Sequence, residues 1–301
     1  MIYTLTLNPA IDLSMKIGSI KEGETCRSLS ESVLFGGKGI NVSCVLKNLG
    51  VESRALGFIA GFTGDALENS LKEQGINTDF IRLEAGFTRI NVKLRGKSET
   101  EINASGPAIY ETALSLLFSK LLMLEDGDTL VLSGSAPSTL SSGIYADILE
   151  SLAFKNVRFV VDAAGDLLLK TLRFKPFLIK PNLRELEGLV KRSLKTKKQI
   201  ISAAKSLIDA GAQNVLVSLG KKGAILVCQS GEVFIEGGHK GKLVNTVGAG
   251  DSMLAAFLSA EKDGFESSLK FANAAGAACA FSENLPTKEQ IENTLYKYKN
   301  Y

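Results

Sequence analysis

Asn245-Thr-Val-Gly-Ala-Gly-Asp251 runs straight into Ser252-Met-Leu-Ala-Ala-Phe-Leu258. Two glycines flank one alanine, a lone carboxylate follows, and the apolar run beyond has helical character. A loop of this kind turns tightly, and its backbone can approach a ligand with no Cβ in the way. The first N–H groups of the following helix lack intrahelical partners and carry the positive end of the helix dipole, so they suit an anion such as a phosphate. Asp251 stands in that mouth. An ionised carboxylate there can accept a proton from a hydroxyl held beside the anion. Taken alone, the stretch also reads as an Asp N-cap after a Gly-rich turn, which is the commoner use of such a pattern. A second glycine-rich turn, Gly36-Gly-Lys-Gly-Ile-Asn41, also opens a helix. Its glycines admit a close ligand, Lys38 adds positive charge, and the Asn41 amide both donates and accepts. That set suits a polyhydroxylated, anionic ligand.

The chain around these turns divides by texture. Ile2–Leu7 reads as a strand ending at Asn8-Pro9, followed by a turn carrying Asp12. Leu13–Ile17, Thr25–Phe35, Thr88–Leu94 and Glu99–Ala104 alternate apolar and polar residues, as strands with one wet face do. Lys38–Leu49 is expected to be a helix, Arg54–Ile59 a strand, and Gly64-Asp65 the opening of a helix that stops at Gly75. From Tyr110 onward, short continuous apolar runs (Thr129–Leu132, Val157–Val161, Phe177–Ile179, Val215–Leu219) are separated by segments of helical periodicity. That alternation marks βαβ units and a parallel sheet covered on both faces. Ala224–Val227 and Val233–Ile235 read as a hairpin at the far edge. Ser252–Lys262, Ser267–Phe281 and Lys288–Tyr298 read as helices, the second closely packed because of its alanines. The fold class expected is α/β, with a mostly parallel sheet and a small β lid from about residues 12–35 and 87–105 in a single domain, 1–301.

Composition excludes several classes. The 301 residues are 45% hydrophobic and 22% charged, an ordinary globular balance with ample core material. A net charge of +3 with no basic run interleaved with aromatics argues against nucleic acid. No apolar run is long enough to span a bilayer, and the first residues lack the charged region of a signal peptide, so a cytoplasmic protein is expected. Cys26, Cys44, Cys228 and Cys279 are scattered and read as buried reduced thiols. The single histidine, His239, rules out a multi-His zinc site and reads as a solvated loop residue. No G-x-x-x-x-G-K-[ST] string occurs, and neither glycine motif completes the G-x-G-x-x-G unit of a dinucleotide-binding oxidoreductase.

Eight segments in order resemble the ribokinase-like, PfkB-type carbohydrate kinase family nearly end to end. They are Thr6-Leu-Asn-Pro-Ala-Ile-Asp12, Gly36-Gly-Lys-Gly-Ile-Asn41, Gly61-Phe-Thr-Gly-Asp65, Thr88-Arg-Ile-Asn-Val-Lys93, Ser133-Gly-Ser-Ala-Pro137, Lys180-Pro-Asn-Leu-Arg-Glu-Leu-Glu187, Ser218-Leu-Gly-Lys-Lys-Gly223 and Thr246-Val-Gly-Ala-Gly-Asp251. Ala136, where the family usually has a larger apolar residue, is a mild departure. The first and fourth segments look most like the branch that phosphorylates fructose 1-phosphate, with tagatose-6-phosphate kinases as near neighbours. The resemblance implies a three-layer α/β/α fold, ATP and Mg²⁺ as cofactors, and a sugar phosphate as partner.

It makes Asp251 the base and the N–H groups of Gly248, Ala249 and Gly250 the anion hole. Asp12, Gly37, Lys38 and Asn41 would hold the sugar, with Arg89 on its phosphate and Arg27 from the lid as a further phosphate ligand. Lys180 and Asn182 would line the nucleotide phosphates. Asn182 and Glu185 match an N-x-x-E pattern tied to magnesium through water. Ser218, Gly220, Gly223 and Asn273 would form the nucleotide pocket. The phosphorylated ligands bring a heavy negative load, which Lys38, Arg89, Lys180 and the metal would offset. Read without the family, Asp12 is an Asx-turn residue, Arg89 and Lys93 are exposed lid charges, and Glu185 and Glu187 are a solvated helix face. A non-catalytic sugar-phosphate sensor on the same fold is the alternative of another class; a sensor has no use for a base at Asp251. Half-buried lid strands point to a homodimer through the lid.

Overall fold

The computed structural model describes residues 1–18, 20, 23–96 and 99–296. In chain order the elements are β1 (Ile2–Thr6), β2 (Ala10–Ile17), β3 (Ser28–Gly36), α1 (Lys38–Asn48), β4 (Ser53–Ala60), α2 (Gly61–Glu73), β5 (Asn77–Leu83), β6 (Arg89–Arg95) and β7 (Glu99–Ile102). Then follow α3 (Glu111–Leu121), β8 (Thr129–Ser133), α4 (Ile144–Ser151), β9 (Arg158–Asp162), α5 (Asp166–Leu169), β10 (Leu178–Ile179), α6 (Leu183–Val190), α7 (Lys197–Asp209) and β11 (Asn214–Ser218). The edge strands β12 (Ala224–Cys228) and β13 (Val233–Glu236) precede α8 (Ala249–Ala260), α9 (Phe265–Ala280) and α10 (Lys288–Tyr296).

These strands form two sheets. The larger runs β13-β12-β11-β10-β9-β8-β1-β4-β5, parallel except for the edge pairs β11/β12 and β12/β13. Its strands alternate between two apolar layers with a period of two. Leu130, Leu132, Phe159, Val161, Val215 and Val217 point to the side covered by α3 to α7. Val131, Val160 and Leu216 point to the side covered by α1, α8 and α9. The result is a three-layer α/β/α body. The Ala-rich α9 lies close on α8: a Cβ at Gly276 would come 3.2 Å from the Met253 terminal methyl and 3.3 Å from the Ala249 carbonyl, so a neighbour would have to shift to admit it. The smaller sheet, β3-β2-β6-β7, is the lid. Among the described residues no helix is long and apolar enough to cross a membrane.

Several expectations are corrected. Asp12 lies within β2, paired with Asn91 and Leu34, and is not a turn residue. Helix α2 starts three residues before Gly64. Strand β5, which the sequence pattern did not reveal, adds the far edge of the main sheet. Helix α8 begins at Ala249, so Asp251 belongs to its first turn and Gly248 is the N-cap. Cys26 is exposed, while the other three thiols are buried. The last two positions of the expected final helix lie outside the described residues.

Strand β1 has a neighbour on each side, β4 and β8, to which the chain goes in opposite directions. Crevices at the carboxyl ends of strands form at such a switch point. The join is tight at Gly57, the register partner of Thr6, with φ of 152°. A Cβ there would collide with the Thr6 carbonyl oxygen. Gly57→Ala is therefore expected to destabilise the fold by about 2 kcal/mol or more, through strain at a special backbone position; the midpoint of chemical denaturation measures it.

Candidate active site

The carboxyl ends of the parallel strands and the inner face of the lid enclose a cleft of about 950 Å³. Every candidate residue named from the sequence lines this cleft except Arg27 and Gly223. Arg27 is exposed on the segment ahead of β3 and lines none of the three cavities described for this protein. Gly223 stands behind the cleft wall, where a Cβ would collide with the Glu236 carbonyl oxygen, so its lack of a side chain serves the fit of β12 and β13.

Gly248 takes the left-handed conformation (φ 81°, ψ −4°), which turns the chain into α8 with no side-chain cap on the helix start. The Ala249 N–H makes a long bond of 3.3 Å to the Thr246 carbonyl. A Cβ at Gly250 would sit 3.0 Å from the Lys180 Nζ, so the glycine lets that ammonium lean over the first turn. Asp251 is 5% exposed and accepts from the Asn41 Nδ2 at 2.7 Å. The two glycine-rich turns are thus joined by a direct hydrogen bond.

Burial pushes the Asp251 carboxyl up to about 6, helped by the negative charge of Asp162; the Asn41 hydrogen bond, Lys180 and Lys38 pull the other way. An Asp at a helix start was expected to stay ionised, as the dipole favours. Dehydration of the α8 first turn overrides that expectation.

Sequence reading missed Asp162. It closes β9 with no exposed surface, and its two oxygens face the Lys38 Nζ at 3.1 Å and the Lys180 Nζ at 3.2 Å. Burial alone would raise its carboxyl, but the two ammonium groups outweigh burial and hold it below the usual carboxylate range. Its place at the carboxyl end of a central parallel strand was the available signal. Lys38 also lies 3.7 Å from Glu185 Oε1. Burial opposes its charge, yet the carboxylates of Asp162, Glu185 and Asp251 raise its pKa above the ordinary lysine value.

Asn182 and Glu185 form a capping box at the start of α6: Asn182 Oδ1 accepts from the Glu185 N–H at 2.9 Å, and Glu185 Oε2 accepts from the Asn182 N–H at 2.8 Å. The reading of Glu185 as part of a solvated helix face is corrected, since its other oxygen turns toward Lys38. Glu187 accepts from the Leu194 N–H and is likewise engaged. A parallel bridge between Asn182 and Ser218 keeps the far end of the cleft together. There the buried Asn273 donates to the Gly237 carbonyl at 2.7 Å. His239 also lines this end, half-buried rather than solvated, with its pKa lowered by burial.

Asp12 faces the cleft from the lid. Its Oδ1 accepts from Asn91 Nδ2 at 2.9 Å and its Oδ2 from Lys93 Nζ at 3.1 Å. Lys93 is 7% exposed and so is no surface charge. Arg89 donates to the Asn8 carbonyl at 3.2 Å and the Ala104 carbonyl at 3.3 Å. It lines both the main cleft and an adjoining recess of about 460 Å³ bounded by Asn8, Gly134 and Ser135. Burial lowers its pKa, with Asp12 opposing, and a guanidinium remains charged under either influence.

A buried carboxylate at a glycine-rich helix start, opposite a lid carboxylate and flanked by two lysines, suits phosphoryl transfer to a hydroxyl. The model of the pfkB family carbohydrate kinases matches residues 3–290. The chain belongs to that family. It is 43% identical to the 1-phosphofructokinase of Borreliella burgdorferi, over 98% of this chain and 96% of that protein. It is 36% identical to the D-tagatose-1-phosphate kinase of Bacillus licheniformis, over 98% and 97%. Among solved structures, Escherichia coli phosphofructokinase-2 in complex with substrates and products superposes with a TM-score of 0.93 at 28% identity, covering 99% of both chains. This carbohydrate kinase therefore has the ribokinase-like fold expected from its motifs.

The two buried carboxylates predict opposite stability effects. The folded-state pKa of Asp251 lies above its unfolded value, so its contribution to stability is greatest below about pH 4 and is lost as pH rises through about 6. At pH 8, Asp251→Asn is expected to stabilise the fold by on the order of 2 kcal/mol, a gain that vanishes below about pH 4. Asp162→Asn leaves two lysines with less compensation and should destabilise by about 3 kcal/mol. Denaturation of both variants across pH measures the contrast.

Proposed function

We propose that this kinase transfers the terminal phosphoryl group of ATP to fructose 1-phosphate, giving fructose 1,6-bisphosphate, with Asp251 as the base. The observation that carries the reading is the dry Asp251 carboxylate at the uncapped start of α8, with Lys180 above Gly250 and Asp12 across the cleft. The first N–H groups of α8, at Gly248, Ala249 and Gly250, form the anion hole for the transferring group. Asp12, Gly37, Lys38 and Asn41 hold the sugar. Its 1-phosphate enters the Asn8–Gly134–Ser135 recess, where Arg89 offers a two-pronged guanidinium. The nucleotide lies toward Lys180, Asn182, Ser218, Gly220 and Asn273.

Among the described residues no group of three or more His, Cys, Asp or Glu side chains could cage a metal. Magnesium needs no such cage; it keeps several waters and is bound through one or two carboxylates plus substrate phosphates. Glu185 fits that requirement, with Asn182 fixing it through the capping box. When bound, the ion would neutralise phosphate charge.

Residues 1–301 are read as one catalytic unit with its lid. The lid face away from the cleft carries Ile11, Leu13, Met15 and the exposed Val33, which supports dimerisation through the lid. The three buried free thiols, Cys44, Cys228 and Cys279, support a cytoplasmic setting.

The relative named for tagatose 1-phosphate favours a second reading with the phosphate at the same end of the ketose. The two sugars differ only in configuration at C4. Tagatose 6-phosphate and fructose 6-phosphate are disfavoured, because their phosphate occupies the position to be phosphorylated. A coupled ADP-release assay should rank fructose 1-phosphate above tagatose 1-phosphate and well above both 6-phosphates in kcat/KM. Tagatose 1-phosphate ranking first would move the substrate and leave the chemistry standing. Asp251→Asn should lower kcat by about a hundredfold or more with little change in sugar-phosphate affinity. Wild-type kcat should fall as pH drops through about 6, following protonation of Asp251. Phosphate groups titrate in the same range. Loss of this limb in the residual activity of Asp251→Asn assigns it to the carboxylate.

A further inference from the structure

We infer that Arg95 and Asn245 are positioning residues, tying the lid strand that holds the acceptor to the loop that holds the transferring phosphoryl group. The inference rests on the proposed function above. Strand β6 presents Arg89, Asn91, Lys93 and Arg95 at alternate positions, hence on one face. The first three serve the recess and Asp12, as described. Arg95 reaches past the acceptor site: its Nε donates to Glu99 Oε1 at 3.3 Å and its Nη2 to Asn245 Oδ1 at 3.4 Å.

Asn245 is a junction. The oxygen that takes Arg95 also accepts from the Val247 N–H at 3.1 Å, and its Nδ2 donates to the Glu283 carbonyl at 3.3 Å. Val247 immediately precedes Gly248, whose left-handed turn aims the first N–H groups of α8. The orientation of one amide side chain therefore feeds directly into the anion hole. Arg95 crosses a separate cavity of about 390 Å³ between the lid and residues 244–247, which Asp12 and Val247 border together with the main cleft. Glu99, the register partner of Arg95 on β7, holds the guanidinium from behind. The chain Asp12–Lys93 on one side and Arg95–Asn245–Val247 on the other makes a single strand the reference for both reacting partners. Phosphoryl transfer depends on that shared reference, since a misplacement of about 1 Å costs roughly a hundredfold in rate.

The test separates this role from folding and from the substrate reading. Arg95→Met removes the lid arm and leaves both loop bonds of Asn245 available, whereas Asn245→Leu removes all of them. In Arg95→Met, kcat is expected to fall about tenfold, as for loss of one charge-assisted hydrogen bond, with both KM values within about threefold of wild type and the thermal midpoint unchanged. The double variant should lose no more than the worse single variant, because both act through one contact. Without any ligand, amide hydrogen exchange in residues 244–250 should be faster in Arg95→Met than in wild type. Wild-type kcat in Arg95→Met, unchanged exchange in that loop, or losses that multiply in the double variant would each overturn the inference. A wild-type enzyme that turns over no sugar phosphate would bring down the functional reading alone, and the ligand-free exchange would still decide the contact.

Discussion

A fully buried carboxylate between two lysines organises the centre of this kinase. Asp162 ends β9 in the middle of the sheet, Lys38 opens α1, and Lys180 follows β10. Three segments distant in sequence are pinned there by charge in a dry environment. Such an arrangement is costly to desolvate and costly to break, because removing Asp162 leaves the buried Lys180 uncompensated. Its position matters more than its net contribution to stability. It fixes one ammonium beside the first glycine-rich turn and the other above the start of α8, so the two turns share a common electrostatic anchor. The Asn41–Asp251 hydrogen bond then joins the turns directly.

The same anchor explains why Asp251 is tuned as it is. A carboxylate at a helix N-terminus gains from the dipole and should be a weak base. Here the helix start is buried and a second negative charge stands nearby on Asp162, and together these outweigh Lys180, Lys38 and Asn41. A carboxylate with a pKa near 6 is still ionised at neutral pH, yet it holds a proton better than an ordinary aspartate. The fold gives up stability at neutral pH to keep that group dry, as functional sites commonly do.

Much of the fold was legible because its signals are local. Runs such as Phe159–Val161 and Val215–Val217 are apolar on both faces and short, as strands buried between two helical layers are. Strand β5 was not legible: Asn77-Thr-Asp-Phe-Ile-Arg-Leu83 is an edge strand with one neighbour, so half of its pattern answers to solvent. At the site, glycines and the carboxylate of a turn announce themselves together. Asp162, Asn91 and Lys93 do not, because their meaning lies in partners far along the chain: Lys38 is 124 residues from Asp162, and Asp12 is 81 from Lys93. Asn182 and Glu185 show a different limit. The N-x-x-E spacing that resembles a metal motif is also the spacing of a capping box, and the structure uses it as one. Structural and proposed functional roles coexist because Glu185 has two oxygens, one for the cap and one toward Lys38. The start of the lid strand before Arg27 shows a simpler limit. Alternation carried the expected strand three residues too far, to Thr25, and the chain there is exposed.

Charge within the cleft argues for what must accompany the ligands. Around the reacting centre, Lys38 and Lys180 stand against Asp162, Glu185 and Asp251, while the Asp12–Lys93 pair neutralises itself. Arg89, Arg184 and Lys221, which also line the cleft, leave a small positive excess once Asp251 is ionised. The proposed ligands, ATP and a sugar phosphate, would add several negative charges, more than that excess. The partial positive charge at the start of α8 is worth roughly half an elementary charge. It cannot offset that load alone. The proposed divalent cation, arriving with the nucleotide, would supply the shortfall without burying another unpaired cation in the ligand-free protein. It also needs little from the chain beyond an oriented carboxylate oxygen. Glu185, held by its capping box and facing Lys38, meets that condition.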